Sequence, residues 1–108
     1  MTPKPTTPEA FEAIAQRFRA LSDPLRLTIL YNLVAGERTV TELVEKTGGS
    51  QSNVSKHLST LLTHGLVNRR REGTCAYYSI TDPSVLELCN RVCVGIERDL
   101  EKRRKAFQ

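Results

Sequence analysis

Apolar residues recur along this chain at two spacings, a helical one through most of its length and a strand-like one near residue 70. Phe11, Ile14, Ala15, Phe18 and Leu21 share one helical face behind Thr7-Pro8, a cap residue followed by a proline suited to a first helical turn. Asp23-Pro24 repeats that signal ahead of Leu25, Ile29, Leu30, Leu33 and Val34, and Gly36 is expected to end this second helix. Thr39-Val40-Thr41-Glu42 has the spacing of a capping box, opening a short third helix that stops at Gly48-Gly49. Ser50 caps a fourth, which runs through Lys56 to Leu62 with Val54, Leu58, Leu61 and Leu62 as its apolar stripe, before Gly65. The period then changes: Leu66 to Arg71 and Cys75 to Ile80 read as strands around a Glu72-Gly73-Thr74 turn. Asp82-Pro83 begins a closing helix carrying Leu86, Cys89, Cys93, Ile96 and Leu100.

This order predicts a mainly α fold with one small β-hairpin. Two short helices separated by Gly48-Gly49, followed almost directly by a basic hairpin, describe a winged helix-turn-helix. The chain's 108 residues suit one core. Residues 1–6 are expected to form a disordered arm, 7–104 the folded domain, and 105–108 a tail.

The fourth helix carries the candidate chemistry. At about 100° per residue its apolar stripe lies on one side, while Ser52, Lys56, Ser59, Thr60 and Thr63 fall opposite, flanked by Asn53 and Ser55. That outward face holds no acid, and serine and asparagine are poor helix formers, so contact with a partner is the expected return for their presence. In a helix-turn-helix the N-terminal part of the second helix enters the major groove. Gln51, Ser52, Asn53, Ser55, Lys56 and Ser59 are therefore candidate base or phosphate contacts: glutamine and asparagine pair with adenine, lysine donates to guanine or phosphate. His57, at the stripe's edge, either touches a phosphate or packs beside the core.

Composition sharpens this in one respect. The net charge is +4 and the sequence pI about 9.2, with Arg69, Arg70 and Arg71 in the first strand and Lys102 to Lys105 near the end. A basic hairpin suits DNA backbone or minor-groove contact, with Arg69 and Arg71 on one strand face and Arg70 on the other. Those arginines and the acid-free helix favour double-stranded DNA over a protein as the partner. No apolar run approaches a membrane span and the N-terminus lacks the layout of a secretory signal, so a cytoplasmic location without membrane contact is expected. No C-x-x-C motif or phosphate loop points to an enzyme.

The segments LSDPLRLTILYNLV, TVTELVEKTGGSQSNVSKHLSTLLTHGLV and GTCAYYSI resemble the ArsR/SmtB family of bacterial winged-helix repressors, over roughly Phe11 to Leu100. The pattern Ser52, Ser55, His57, Leu58 is its most specific part. The resemblance implies a homodimer built through the first and last helices, bound to an inverted-repeat operator and released by an inducer, often a metal or metalloid. Two of the family's ligand sets are missing here. Glu42-Leu43-Val44-Glu45 stands where a Cys-x-Cys pair would be, and although Asp82 is present, Ser84, Gly95 and Arg98 occupy the other expected ligand positions in the closing segment.

Cys89 and Cys93 remain. Their i, i+4 spacing puts both sulfurs on one helix face, and in a dimer whose last helices meet, four thiols could lie together. Thiolates suit arsenite or a soft metal ion as a small inorganic inducer. They equally suit an oxidant or reactive sulfur species. The same two residues also continue the apolar stripe, where cysteine serves as a small hydrophobe. All three readings stand on the sequence. Cys75, on the hairpin, is expected to be exposed and remote from the pair, and His64 to act as a helix C-terminal dipole partner.

Overall fold

The computed structural model describes residues 4–108. The first three residues of the expected N-terminal arm lie outside that range. Five helices and one hairpin follow in order: α1 Pro8–Leu21, α2 Pro24–Asn32, α3 Val40–Thr47, α4 Gln51–Thr63, β1 Val67–Glu72, β2 Cys75–Ile80 and α5 Val85–Ala106.

The caps explain these boundaries. Thr7 Oγ1 accepts from the Ala10 amide at 3.1 Å and Asp23 Oδ1 from the Arg26 amide at 3.0 Å, each followed by a proline at the first helical position. At α3 both halves of the capping box are made: Glu42 N donates to Thr39 Oγ1 at 3.2 Å, and Thr39 N to the Glu42 carboxylate at 2.9 Å. Gly48 closes α3 in the left-handed region, at φ +76°. Gly49 is held for a different reason, because a Cβ there would stand 3.1 Å from Val54 and 3.2 Å from Leu25.

The first strand is shifted by one residue, with Leu66 outside it and Glu72 inside it rather than in the turn, and α5 runs to Ala106, into the expected tail at 105–108. Two further boundaries differ from the sequence expectation. The second helix ends at Asn32, four residues short of Gly36, because the Arg38 side chain turns back and donates Nε to the Asn32 carbonyl at 2.8 Å. The closing helix starts at Val85, since Asp82 Oδ1 accepts from the Ser84 amide at 2.9 Å and holds Asp82 to Ser84 in a turn.

The core joins all the elements except β2, and among the described residues no polar residue is buried. It comprises Ala20 and Leu21 of α1, Ile29, Leu30 and Leu33 of and just after α2, and Leu43 of α3. Val54, Leu58 and Leu61 of α4, Leu66 and Val67 at the start of the wing, and Leu86 of α5 complete it. The hairpin is antiparallel, pairing Val67 with Ile80 and Glu72 with Cys75 across a two-residue Gly73-Thr74 turn. Gly73 supplies the positive φ, +62°, which such a turn needs at its first position. A bridge between Arg38 and Tyr78, N–H to carbonyl in both directions, ties the hairpin to the segment before α3.

The ends of the chain are packed differently from its middle. The Cα radius of gyration is 16.7 Å, against about 13 Å for a compact domain of this length. The excess comes from α5, which buries only Leu86 among its 22 residues. Phe11, Ile14 and Phe18 of α1 and Leu88, Val92, Ile96 and Leu100 of α5 are left exposed. No helix of the described residues is long and apolar enough to cross a membrane.

Candidate nucleic-acid interface

The face expected from the sequence is present on α4. Val54, Leu58 and Leu61 have no solvent exposure, while Gln51, Ser52, Asn53, Ser55, Lys56 and Ser59 are all exposed. Three fully buried aliphatic side chains are worth about 1.5–3 kcal/mol each, so the polar face rides on a firm anchor. Ser50 Oγ accepts from the Asn53 amide at 3.2 Å and lies 3.4 Å from Ser52 Oγ. The free N–H groups of the first turn, the helix dipole and Lys56 all favour an anion there, with no acid on the helix to oppose it.

Opposite residues of an antiparallel pair share a face, so the register separates the wing arginines as expected. Arg69 and Arg71 lie on the face of Val67, Tyr78 and Ile80, and Arg70 lies opposite, beside Tyr77. Arg69 and Arg71 are exposed. Arg70 is held within the chain: it donates Nε and Nη2 to the Glu37 carboxylate at 3.0 Å each, donates Nη1 to Glu72 at 2.7 Å, and lies 4.7 Å above the Tyr77 ring. These bonds hold Glu37 below the usual glutamate pKa, the Arg70 hydrogen bond being the main cause, and raise the pKa of Arg70. The hairpin is thereby pinned to the loop between α2 and α3.

His57 faces inward. Its side chain is 17% exposed, with Nδ1 3.1 Å from Arg26 Nη1 and Nε2 3.7 Å from Asp23 Oδ1. The Arg26 amide is the main reason the Asp23 carboxyl sits below its usual pKa. The sequence reading did not single out Arg26, although a signal existed: a cation in a helix's first turn works against the dipole and calls for a tertiary partner.

The cysteines divide as the spacing indicated. Cys75 is exposed on the wing, Cys89 is half-buried against the core, and Cys93, one turn further along α5, is exposed. Cys89 and Cys93 line an open apolar groove of about 410 Å³ with Phe18, Leu21, Leu27 and Ile96. Tyr31 stands close by and donates its hydroxyl to Asn90 Oδ1 at 2.5 Å. Partial desolvation raises the Tyr31 pKa, and the two thiols contribute to the shift. Among the described residues no three His, Cys, Asp or Glu side chains converge as a metal site.

A helix-turn-helix with its second helix acid-free and anchored, followed by a pinned basic hairpin, defines a winged helix-turn-helix regulator. The sequence profile described as bacterial regulatory protein, arsR family, matches residues 23–69. The chain is 48% identical over 77 residues to the probable mercury resistance operon repressor of Streptomyces lividans, an alignment covering 71% of this chain and 62% of that protein. It is 37% identical over 81 residues to the arsenical resistance operon repressor of Bacillus subtilis, covering 74% and 77%. The solution structure of the homodimeric winged helix-turn-helix DNA-binding domain Mb0332 from Mycobacterium bovis, a possible ArsR-family regulator, superposes with a TM-score of 0.73 at 35% identity. That superposition covers 94% of this chain and 95% of that one. The chain belongs to the arsR family of bacterial regulatory proteins. It is a transcriptional regulator, not an enzyme.

Proposed function

We propose that the protein is a homodimeric repressor that binds an inverted-repeat operator in the cytoplasm and is released by a thiophilic inducer. The observation that carries DNA recognition is the acid-free exposed face of α4 over a fully buried stripe. Gln51, Ser52, Asn53 and Ser55 stand where base edges are read, Lys56 and Ser59 beside them, and Arg69 and Arg71 reach phosphate or the minor groove from the wing. Arg70 and His57 act through the bonds they make inside the chain, one fixing the wing and the other the helix.

Dimerisation is supported by the open apolar faces of α1 and α5 and by the extended shape they give the monomer. A two-fold dimer would set its reading helices about 34 Å apart, one turn of duplex. Cys89 and Cys93 are the proposed inducer site. Two thiols per chain do not complete a metal site, but two chains meeting along α5 supply four. Soft ions such as arsenite or mercuric, cadmium or zinc ions match that donor set, in keeping with the operons named for two relatives.

Fluorescence anisotropy tests the reading, using a labelled duplex selected by this protein from a random-sequence library. Affinity should fall steeply between about 50 and 200 mM salt. Failure to select any duplex, or salt-insensitive binding, overturns the DNA reading. Arsenite, mercuric, cadmium or zinc ions should release the duplex from the native protein and not from a Cys89→Ser/Cys93→Ser variant. Release by peroxide or polysulfide instead identifies the pair as a redox or reactive-sulfur sensor, and an unchanged response in the variant leaves the cysteines as packing residues.

A further inference from the structure

Arg26 joins three elements. Its guanidinium donates Nε to the Ala20 carbonyl at 2.7 Å, Nη2 to the Arg19 carbonyl at 3.2 Å, and Nη1 to His57 Nδ1 at 3.1 Å. Two partners are terminal carbonyls of α1, and the third is a side chain of α4. Arginine only donates, so His57 Nδ1 must accept, which leaves the ring proton on Nε2, facing Asp23 Oδ1 at 3.7 Å. Asp23 is itself fixed as the cap of α2, through the amide of Arg26.

We propose that Arg26 is a positioning residue for DNA recognition, locking the rotation of α4 to the C-terminal end of α1 through His57. The inference rests on the operator-binding reading above. Val54, Leu58 and Leu61 hold α4 to the core, but apolar burial is non-directional and tolerates rotation and slide. A hydrogen bond to a ring nitrogen is directional. His57 follows Lys56 directly and lies two residues from Ser55 and from Ser59, so fixing its ring fixes the aim of the exposed face. The other end of the lock is α1, whose Phe11, Ile14 and Phe18 are open to a partner. Whatever seats α1 therefore also sets the reading helix.

A double-mutant cycle on the full chain tests this, with helical content, melting temperature and sedimentation recorded for every variant. Arg26→Lys keeps the charge, but one ammonium cannot span two carbonyls and an imidazole. His57→Leu removes the acceptor. Each should weaken binding of the folded protein to the library-selected duplex about tenfold, the size of one hydrogen bond to a charged group. The double variant should lose no more than either single one. His57→Asn, whose Oδ1 stands where Nδ1 stood, should keep most of the affinity, and the slope of affinity against salt should stay constant throughout, since no phosphate contact is lost.

Additive losses would mean that His57 touches DNA directly, and would overturn the proposal. So would a lowered melting temperature with unchanged affinity, which marks a purely structural bond. If the native chain selects no duplex, the operator reading itself fails. That outcome is distinguishable, because the inference alone fails only when the native protein binds.

Discussion

Ile96→Asp should convert the protein to a monomer without unfolding it. Ile96 is 54% exposed and stands outside the core, on the α5 face beside the Cys89–Cys93 groove. Fully burying an isoleucine is worth about 1.5–3 kcal/mol, so covering the open half returns about 1 kcal/mol, and two-fold symmetry makes that about 2 kcal/mol per dimer. A carboxylate in its place must be desolvated without a partner, at several kcal/mol per ion. Together these exceed about 4 kcal/mol, a weakening of the dimer by about a thousandfold or more. Isoleucine and aspartate have similar helix propensities, so helical content should be preserved. Sedimentation velocity across micromolar concentrations measures the change, with circular dichroism as the folding control. A variant that dimerises with the native dissociation constant would refute the assignment of this face, and with it the argument from the open apolar helices.

Three further outcomes follow from the interface and its supports. If Lys56 and Arg71 contact phosphate, Lys56→Ala and Arg71→Ala should each lower the slope of log affinity against log salt by about 1 and weaken binding across all duplex sequences alike; a change in sequence preference at constant slope would put them on base edges instead. Ser50→Ala removes the acceptor for the Asn53 amide and should cost about 1 kcal/mol of stability, read as a lower urea midpoint at constant m. Glu37→Gln tests the wing clamp by its pH dependence. Arg70 holds the Glu37 pKa below its usual 4.5, so the stabilisation is fully present above that value and is lost as pH falls through the lower folded one. The difference in melting temperature between native and Glu37→Gln proteins should therefore shrink on acidification below that range, and a constant difference would argue against the ion pair.

Most of the fold was legible because the local signals agreed with one another. Cap and apolar period coincide at Thr7, Asp23, Thr39 and Ser50, with a proline added at the first two, and each opens a helix in the structure. The reading slipped at Asp82-Pro83, where cap and proline agreed but Asp82 takes the Ser84 amide and holds a turn, and at Gly36, where one signal stood alone. Gly36 resembled a helix end, but the long-range turn of Arg38 onto the Asn32 carbonyl closes α2 earlier. The polar face of α4 could be read because it needs only the period of one helix. The contacts of Arg70 with Glu37 and of His57 with Arg26 could not, since they join residues more than thirty positions apart. No helical or strand period carries information about such partners. Residue type at an awkward place does: Arg26 sits at the wrong end of its helix dipole, and Arg70, between two other arginines on the wing, crowds like charge unless an acid approaches.

The distribution of buried residues bears on where an inducer can act. Ordering a residue's backbone costs about 1–2 kcal/mol, and α5 offsets this within its own chain chiefly at its first turns, where Leu86 is buried and Val85 and Cys89 pack on the core. Beyond Cys89 the helix carries apolar residues with nothing on them, and their contribution depends on a second surface. Cys89 and Cys93 straddle that boundary, one half-buried and one exposed. An adduct or an ion on this pair therefore acts where α5 leaves its own core, beside the Tyr31–Asn90 bond that ties it to α2. The same helix α2 carries Arg26 at its other end, bonded to α4. On the proposed reading, a change at the thiols need not unfold anything to reach the DNA face; it has only to alter the angle at which α5, and the partner seated on it, meets α2.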